Sequence, residues 1–81
     1  TFIIDFLAEF PTFRDELSKI NPSIKVSDIE FCALLRLNLD VKQIAEIKKM
    51  SVQAVIAKES RIKKKLNVIS TEELYELLKF L

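Results

Sequence analysis

Between Val52 and Leu66 the sequence VQAVIAKESRIKKKL places five cations, Lys58, Arg61, Lys63, Lys64 and Lys65, among small and apolar residues at helical spacing. With Val55 as zero and about 100° per residue, Val55, Ile62 and Leu66 fall within about 20° of one direction, which must be the core. Ala57, Ser60, Arg61 and Lys64 point the other way, Ile56 and Lys63 lie on one flank, and Lys58 and Lys65 on the other. The outer face thus has a weakly polar first half (Ile56, Ala57, Ser60) and a cationic second half (Arg61, Lys63, Lys64). In a DNA major groove the first half would meet base edges and the second would meet phosphates.

Other chemistries find little support. The chain has no histidine, the commonest general base and metal ligand, and no glycine, which phosphate-binding loops require. Cys32 stands alone in an apolar run, so it reads as a buried structural thiol, and no metal site or disulfide is expected within the chain. Ser60 and Lys63 match a Ser-x-x-Lys pattern, but within one turn of a basic helix and without the motifs that accompany it in enzymes. The expectation is no enzyme, no catalytic residue and no cofactor.

The basic helix needs a partner to hold it. Asp40 is an N-cap for a short amphipathic helix, Val41–Lys49, with Val41, Ile44 and Ala45 inward. Met50 is an apolar pin in the turn, and Ser51 caps the helix from Val52 to Leu66. A small residue at the crossing, an apolar turn and a second helix with a free outer face make a helix-turn-helix pattern.

Upstream, Phe2, Phe6, Phe10, Phe13, Leu17 and Ile20 are spaced by three or four residues, which predicts helices broken at Pro11. Asn21-Pro22 ends the second helix. Ser27 with Glu30 forms a capping box for a helix from Asp28 to about Asn38. That helix is apolar on nearly all sides and belongs at the centre of a small bundle. Without glycine, Asn21, Asn38 and Asn67 are the candidates for left-handed C-caps. Ser70 and Glu73 open a last helix, Thr71–Leu81, whose apolar surface exceeds one face and calls for a second copy or another domain.

The net charge of +1 hides an asymmetry: residues 1–30 carry −3, residues 31–66 carry +6 and residues 67–81 carry −2. The cationic surplus coincides with the helix pair, as the footprint of a polyanion site would. No run reaches the roughly 18 apolar residues of a membrane helix. The start at Thr1, without an initiator Met or signal-peptide layout, reads as a piece of a longer protein, from its C-terminal end.

Residues 27–81 resemble the LuxR/GerE-type helix-turn-helix family, within the broad winged-helix-like superfamily. The resemblance is carried by Asp28-Ile29-Glu30-Phe31-Cys32-Ala33-Leu34-Leu35, by Leu39-Asp40-Val41-Lys42-Gln43-Ile44-Ala45, and by Met50-Ser51, Val55, Ile62 and Lys64-Lys65-Leu66-Asn67. The layout is similar to the C-terminal DNA-binding domains of Bacteroidetes transcriptional regulators, and the stretches around Phe10-Pro11 and Asn21-Pro22 extend the similarity upstream.

The resemblance implies an all-α bundle: a four-helix domain at 27–81, preceded by a helical segment at 1–26 that ends an upstream linker or coiled coil and packs on the core. It implies a cytoplasmic DNA-binding output domain of a transcriptional regulator, with Ile56, Ala57 and Ser60 facing bases. Lys42, Ser51, Arg61, Lys63 and Lys64 would contact phosphates of double-stranded DNA. Homodimerisation would run through Leu74, Tyr75, Leu78 and Leu81 or through an upstream coiled coil. The alternative is a protein-interaction or dimerisation module that keeps the fold without specific DNA binding.

The sequence departs from the family pattern at Ile56, where a polar or charged residue is usual, and at Lys48, where Leu is common. Lys49 stands where Gly or Asn is usual, so a positive φ there would be strained. Glu59, about 40° from the core direction, is expected to pair with Lys63.

Overall fold

An eleven-residue helix that buries Asp28, Ile29, Phe31, Cys32, Ala33, Leu34 and Leu35 cannot lie at a surface, and it forms the axis of this structure. The computed structural model describes the backbone of residues 2–81 and the side chains from Asp5 onward. Its order is α1 (Phe2–Glu9), α2 (Phe13–Ile20), α3 (Val26–Arg36), α4 (Val41–Lys48), α5 (Val52–Lys65) and α6 (Thr71–Lys79). The described residues are all-helical, with α3 packed on α1 and α6, and α4 on α5. The radius of gyration is 11.7 Å, which matches the value of about 12 Å for a compact chain of this length. None of the helices is long and apolar enough to cross a membrane, among the described residues.

Residues 5–20 join the same core as the rest. Phe6, Phe13 and Leu17 are buried together with Ile44, Val55, Ile62 and Leu74. The Phe6 ring stacks on Phe10 at 4.7 Å and meets Phe13 edge-on at 5.0 Å, while the Arg36 guanidinium lies 5.2 Å over Phe10. Phe10 is half-buried and Ile20 exposed, so the predicted stripe holds at its centre and loosens at its end. The Phe2 side chain lies outside the described residues.

Two caps fall elsewhere than expected. The central helix starts at Val26, and its capping carboxylate is Asp28, which accepts the Lys25 backbone N–H at 3.2 Å; Ser27 and Glu30 do not form the box. The reason is tertiary: Asp28 also accepts from Lys65 Nζ at 2.7 Å, while Glu30 pairs with Lys48. Asn21 is extended (φ −146°, ψ 103°) and not left-handed, because Pro22 excludes the helical region for the residue before it. Its side chain donates to the Lys65 carbonyl at 3.2 Å and accepts from Ser23, tying this turn to the end of α5.

Asn38 and Asn67 do adopt positive φ, 67° and 59°. After α5, Val68 N–H bonds Lys63 O at 3.0 Å and Asn67 N–H bonds Lys64 O at 3.2 Å, the paired bonds of a Schellman ending. The same ending closes α4, where Met50 N–H bonds Ala45 O at 2.9 Å, with Lys49 at φ 54°. A left-handed Lys costs about 1 kcal/mol relative to Gly. Lys49→Gly is therefore expected to stabilise the chain by about that amount, read as a higher urea midpoint at unchanged m.

Burial works to raise the Asp28 pKa, but hydrogen bonds from Lys65 and the Lys25 backbone, with the charges of Lys65 and Lys58, hold it below 3.8. A depressed carboxyl contributes stability that is present above its unfolded value and is lost as pH falls through the folded one. The Asp28–Lys65 tie is thus expected to hold at neutral pH and to weaken below about pH 4, and Asp28→Asn to flatten that acid-side loss in urea titrations at pH 7 and pH 3.

Candidate nucleic-acid interface

The α4–α5 pair is built by its caps. Asp40 Oδ1 accepts the Gln43 N–H at 2.8 Å while Gln43 Oε1 accepts the Asp40 N–H at 2.9 Å, a reciprocal box that starts α4. Ser51 Oγ accepts the Ala54 N–H at 3.1 Å and starts α5 after a three-residue turn. Ile44 and Ala45 of α4 are buried with Val55, Ile62 and Leu66, and Met50 packs half-buried against this core. The apolar stripe therefore fixes which face of α5 remains outside.

That face carries the expected residues. Ala57, Ser60, Arg61 and Lys64 are exposed, Ile56 is 51% exposed, and Lys63 is half-buried. Arg61, Lys63, Lys64 and the exposed Lys42 make no ion pair among the described residues, so their charge is free for an external anion. The other two cations of α5 are used internally. Lys65 pairs with Asp28, and Lys58 lies 5.9 Å over the Phe31 ring. Ser51 is exposed, and accepting a cap bond leaves its hydroxyl hydrogen available.

Glu59 departs from expectation. It is only 7% exposed, and its Oε1 has no hydrogen-bond partner among the described residues; the Lys63 pair does not form. The side chain turns toward the core, where its charge acts on Tyr75, while Lys63 stays at the outer flank. The Tyr75 hydroxyl pKa is raised, chiefly by burial and then by the charges of Glu59 and Asp40, and the hydroxyl donates to the Leu39 carbonyl at 2.9 Å. An unsatisfied buried polar atom costs about 1–3 kcal/mol, and more where the group is charged. Glu59→Met, with similar volume and no polar atom, is expected to raise the thermal midpoint by several degrees, read by circular dichroism.

The expected dimer face needs revision. Leu74 and Leu78 are fully buried in the chain's own core and have no surface left for a partner. Of the four named residues only Tyr75 and Leu81 keep surface, both half-buried. The exposed apolar groups around α6 are Ile69, 89% exposed, and Phe80, 78% exposed. Leu74 and Leu78 occupy the 3.6-residue positions that seal α6 onto α3, which a list of apolar residues does not separate from the outer ones.

One further residue shares this outer face. Carried one turn further back, the 100° step puts Gln53 at about 160° from the core direction, in line with Ala57, Ser60 and Lys64. Gln53 is exposed, and its side-chain amide makes no hydrogen bond among the described residues.

No protein-family model matches the chain, and no curated protein or solved structure is significantly similar to it.

Cys32 is fully buried, and burial, aided by the nearby Asp28 charge and opposed by Lys58, pushes its thiol up to about 12. It stays protonated and unreactive at neutral pH.

Proposed function

We propose that this chain is a DNA-binding output domain of a cytoplasmic transcriptional regulator, of the LuxR-type helix-turn-helix kind, with α5 as the helix inserted into the major groove. The observation that carries this reading is the division of labour on α5. Its inner face is sealed on α4, and its outer face ends in Arg61, Lys63 and Lys64 without ion-pair partners among the described residues. Free cations at one end of an exposed helix face, bracketed by acidic segments on either side in sequence, suit a phosphate backbone. Lys42 and the Ser51 hydroxyl, at the ends of α4 and the turn, would take the flanking phosphates. The single Schellman-closed turn sets α5 with no glycine slack, which suits a helix presented rigidly.

Binding is tested by fluorescence anisotropy with labelled duplex DNA between low and moderate salt. Three or four neutralised phosphates per chain give a slope of log K against log salt of about −3 to −4, doubled in a dimer. Absence of duplex binding at low salt by a dimerised chain would sink the reading.

A second reading is favoured by a specific observation: Ile69 and Phe80 stand far out of the core at the two ends of α6. A protein-interaction or dimerisation module would use them, and a homodimer through this end is compatible with DNA binding as well. Sedimentation of the wild type against Phe80→Asp tests the contact, since an apolar contact at α6 loses self-association in the variant; self-association without duplex affinity at low salt is the outcome that favours the second reading.

A further inference from the structure

We propose that the first two turns of α5 read A·T base pairs, with Gln53 taking adenine and Ile56 and Ala57 taking thymine methyl groups. The inference rests on the duplex-binding reading above and goes beyond it to the bases recognised.

The outer surface over these turns has a definite chemistry. Gln53 and Ala57 are exposed one turn apart and in line, and Val52 and Ile56 run beside them, 41% and 51% exposed. The first turn of α5 carries no acidic residue, and the first cation, Lys58, is held over the Phe31 ring. Guanine is read most often by Arg or Lys bidentate to O6 and N7, and on α5 itself no cation free of an internal contact stands before Arg61 among the described residues. Adenine presents an N7 acceptor beside an N6 donor, the pair that a side-chain amide matches, and Gln53 has both amide atoms unengaged among the described residues. Thymine adds a methyl group that apolar side chains contact. Half-exposed Ile56 and Val52, at i and i+4 on one flank, offer such a surface and would lose water-exposed apolar area on binding. The residue that most weakens a generic polar readout therefore becomes the specificity element. The distance from Gln53 to Ser60 along the axis is about 10 Å, which spans about three base steps.

The test is selection from a randomised duplex library with the 81-residue chain, followed by anisotropy on the selected duplex. Enrichment of A·T over a core of about three base pairs is expected. Replacing a contacted dT by deoxyuridine removes only the methyl, and is expected to weaken binding about fourfold, the worth of one buried methylene-sized group. In Ile56→Ala that penalty should shrink toward onefold, and Gln53→Ala should relax the choice of adenine while leaving the salt slope unchanged. Inosine–cytosine pairs keep the minor-groove pattern of A·T but present guanine's major-groove edge, so they are expected to abolish the preference. Full affinity on inosine–cytosine duplexes would place readout in the minor groove and overturn the proposal. Tight duplex binding with G·C enrichment, with no enrichment, or with indifference to deoxyuridine would overturn it while leaving DNA binding standing. No duplex binding at low salt by the dimerised chain would overturn both.

Discussion

Replacing Arg61, Lys63 and Lys64 together by alanine is expected to weaken duplex binding by two to three orders of magnitude at about 0.1 M salt. Each neutralised phosphate releases counterions worth about 0.9 decades of affinity for every tenfold dilution of salt from 1 M. Three contacts removed together should therefore lower the magnitude of the salt slope by about 3. These side chains sit on the outer face of α5 and make no ion pairs among the described residues, so the fold should not suffer. Far-ultraviolet circular dichroism and the urea midpoint serve as the control. The contrast is Lys65, already committed to Asp28 at 2.7 Å: its substitution should cost stability more than DNA affinity. Loss of binding confined to Lys65→Ala, with the triple variant intact, would mean that the contact face has been assigned to the wrong side of α5.

Phe13→Ala is expected to destabilise the chain by about 3–5 kcal/mol, the usual cost of emptying a fully buried aromatic site. Phe13 is 0% exposed and meets the Phe6 ring edge-on at 5.0 Å, in the cluster that continues to Phe10 and Arg36. A chain of this length has a total stability of about 4–12 kcal/mol, so the variant should lose about a quarter or more of it. Urea denaturation at pH 7 measures the loss. A change below about 1 kcal/mol would show that residues 5–20 are an appendage whose removal the remaining bundle tolerates. Because Phe6, Phe13 and Leu17 share one core with α3 to α6, the larger value is the expected one.

The caps and the stripes were the legible features. Asp40, Ser51 and Ser70 each accept from the backbone N–H three residues on, as local chemistry alone requires, and α4, α5 and α6 begin where those residues stand. Val55, Ile62 and Leu66 are buried as the 100° step places them, and of the three asparagines expected to be left-handed Asn38 and Asn67 are and Asn21 is not. The start of α3 was not legible, since Ser27 with Glu30 is the local capping pattern and the observed box runs between Lys25 and Asp28. The choice went to Asp28 because Lys65, 37 residues away, holds its carboxylate. The apolar residues of α6 were equally ambiguous as a list, and only packing on α3 divided Leu74 and Leu78 from Phe80.

What the amino-acid sequence determined alone is what depends on neighbours within about four residues: helices throughout, the N-caps of α4, α5 and α6, and the inward stripe of α5. With those comes the outer face of α5, including Ile56, Ala57, Ser60, Arg61, Lys63 and Lys64. What the tertiary structure decided is which charges remain free. Lys65 is spent on Asp28, Lys58 lies over Phe31, and Lys48 joins Glu30. It also turned Glu59 inward without a partner for Oε1 among the described residues. The physical reason is range: backbone hydrogen bonding and helical periodicity are local, whereas an ion pair or a buried carboxylate is set by residues brought together only when the helices pack.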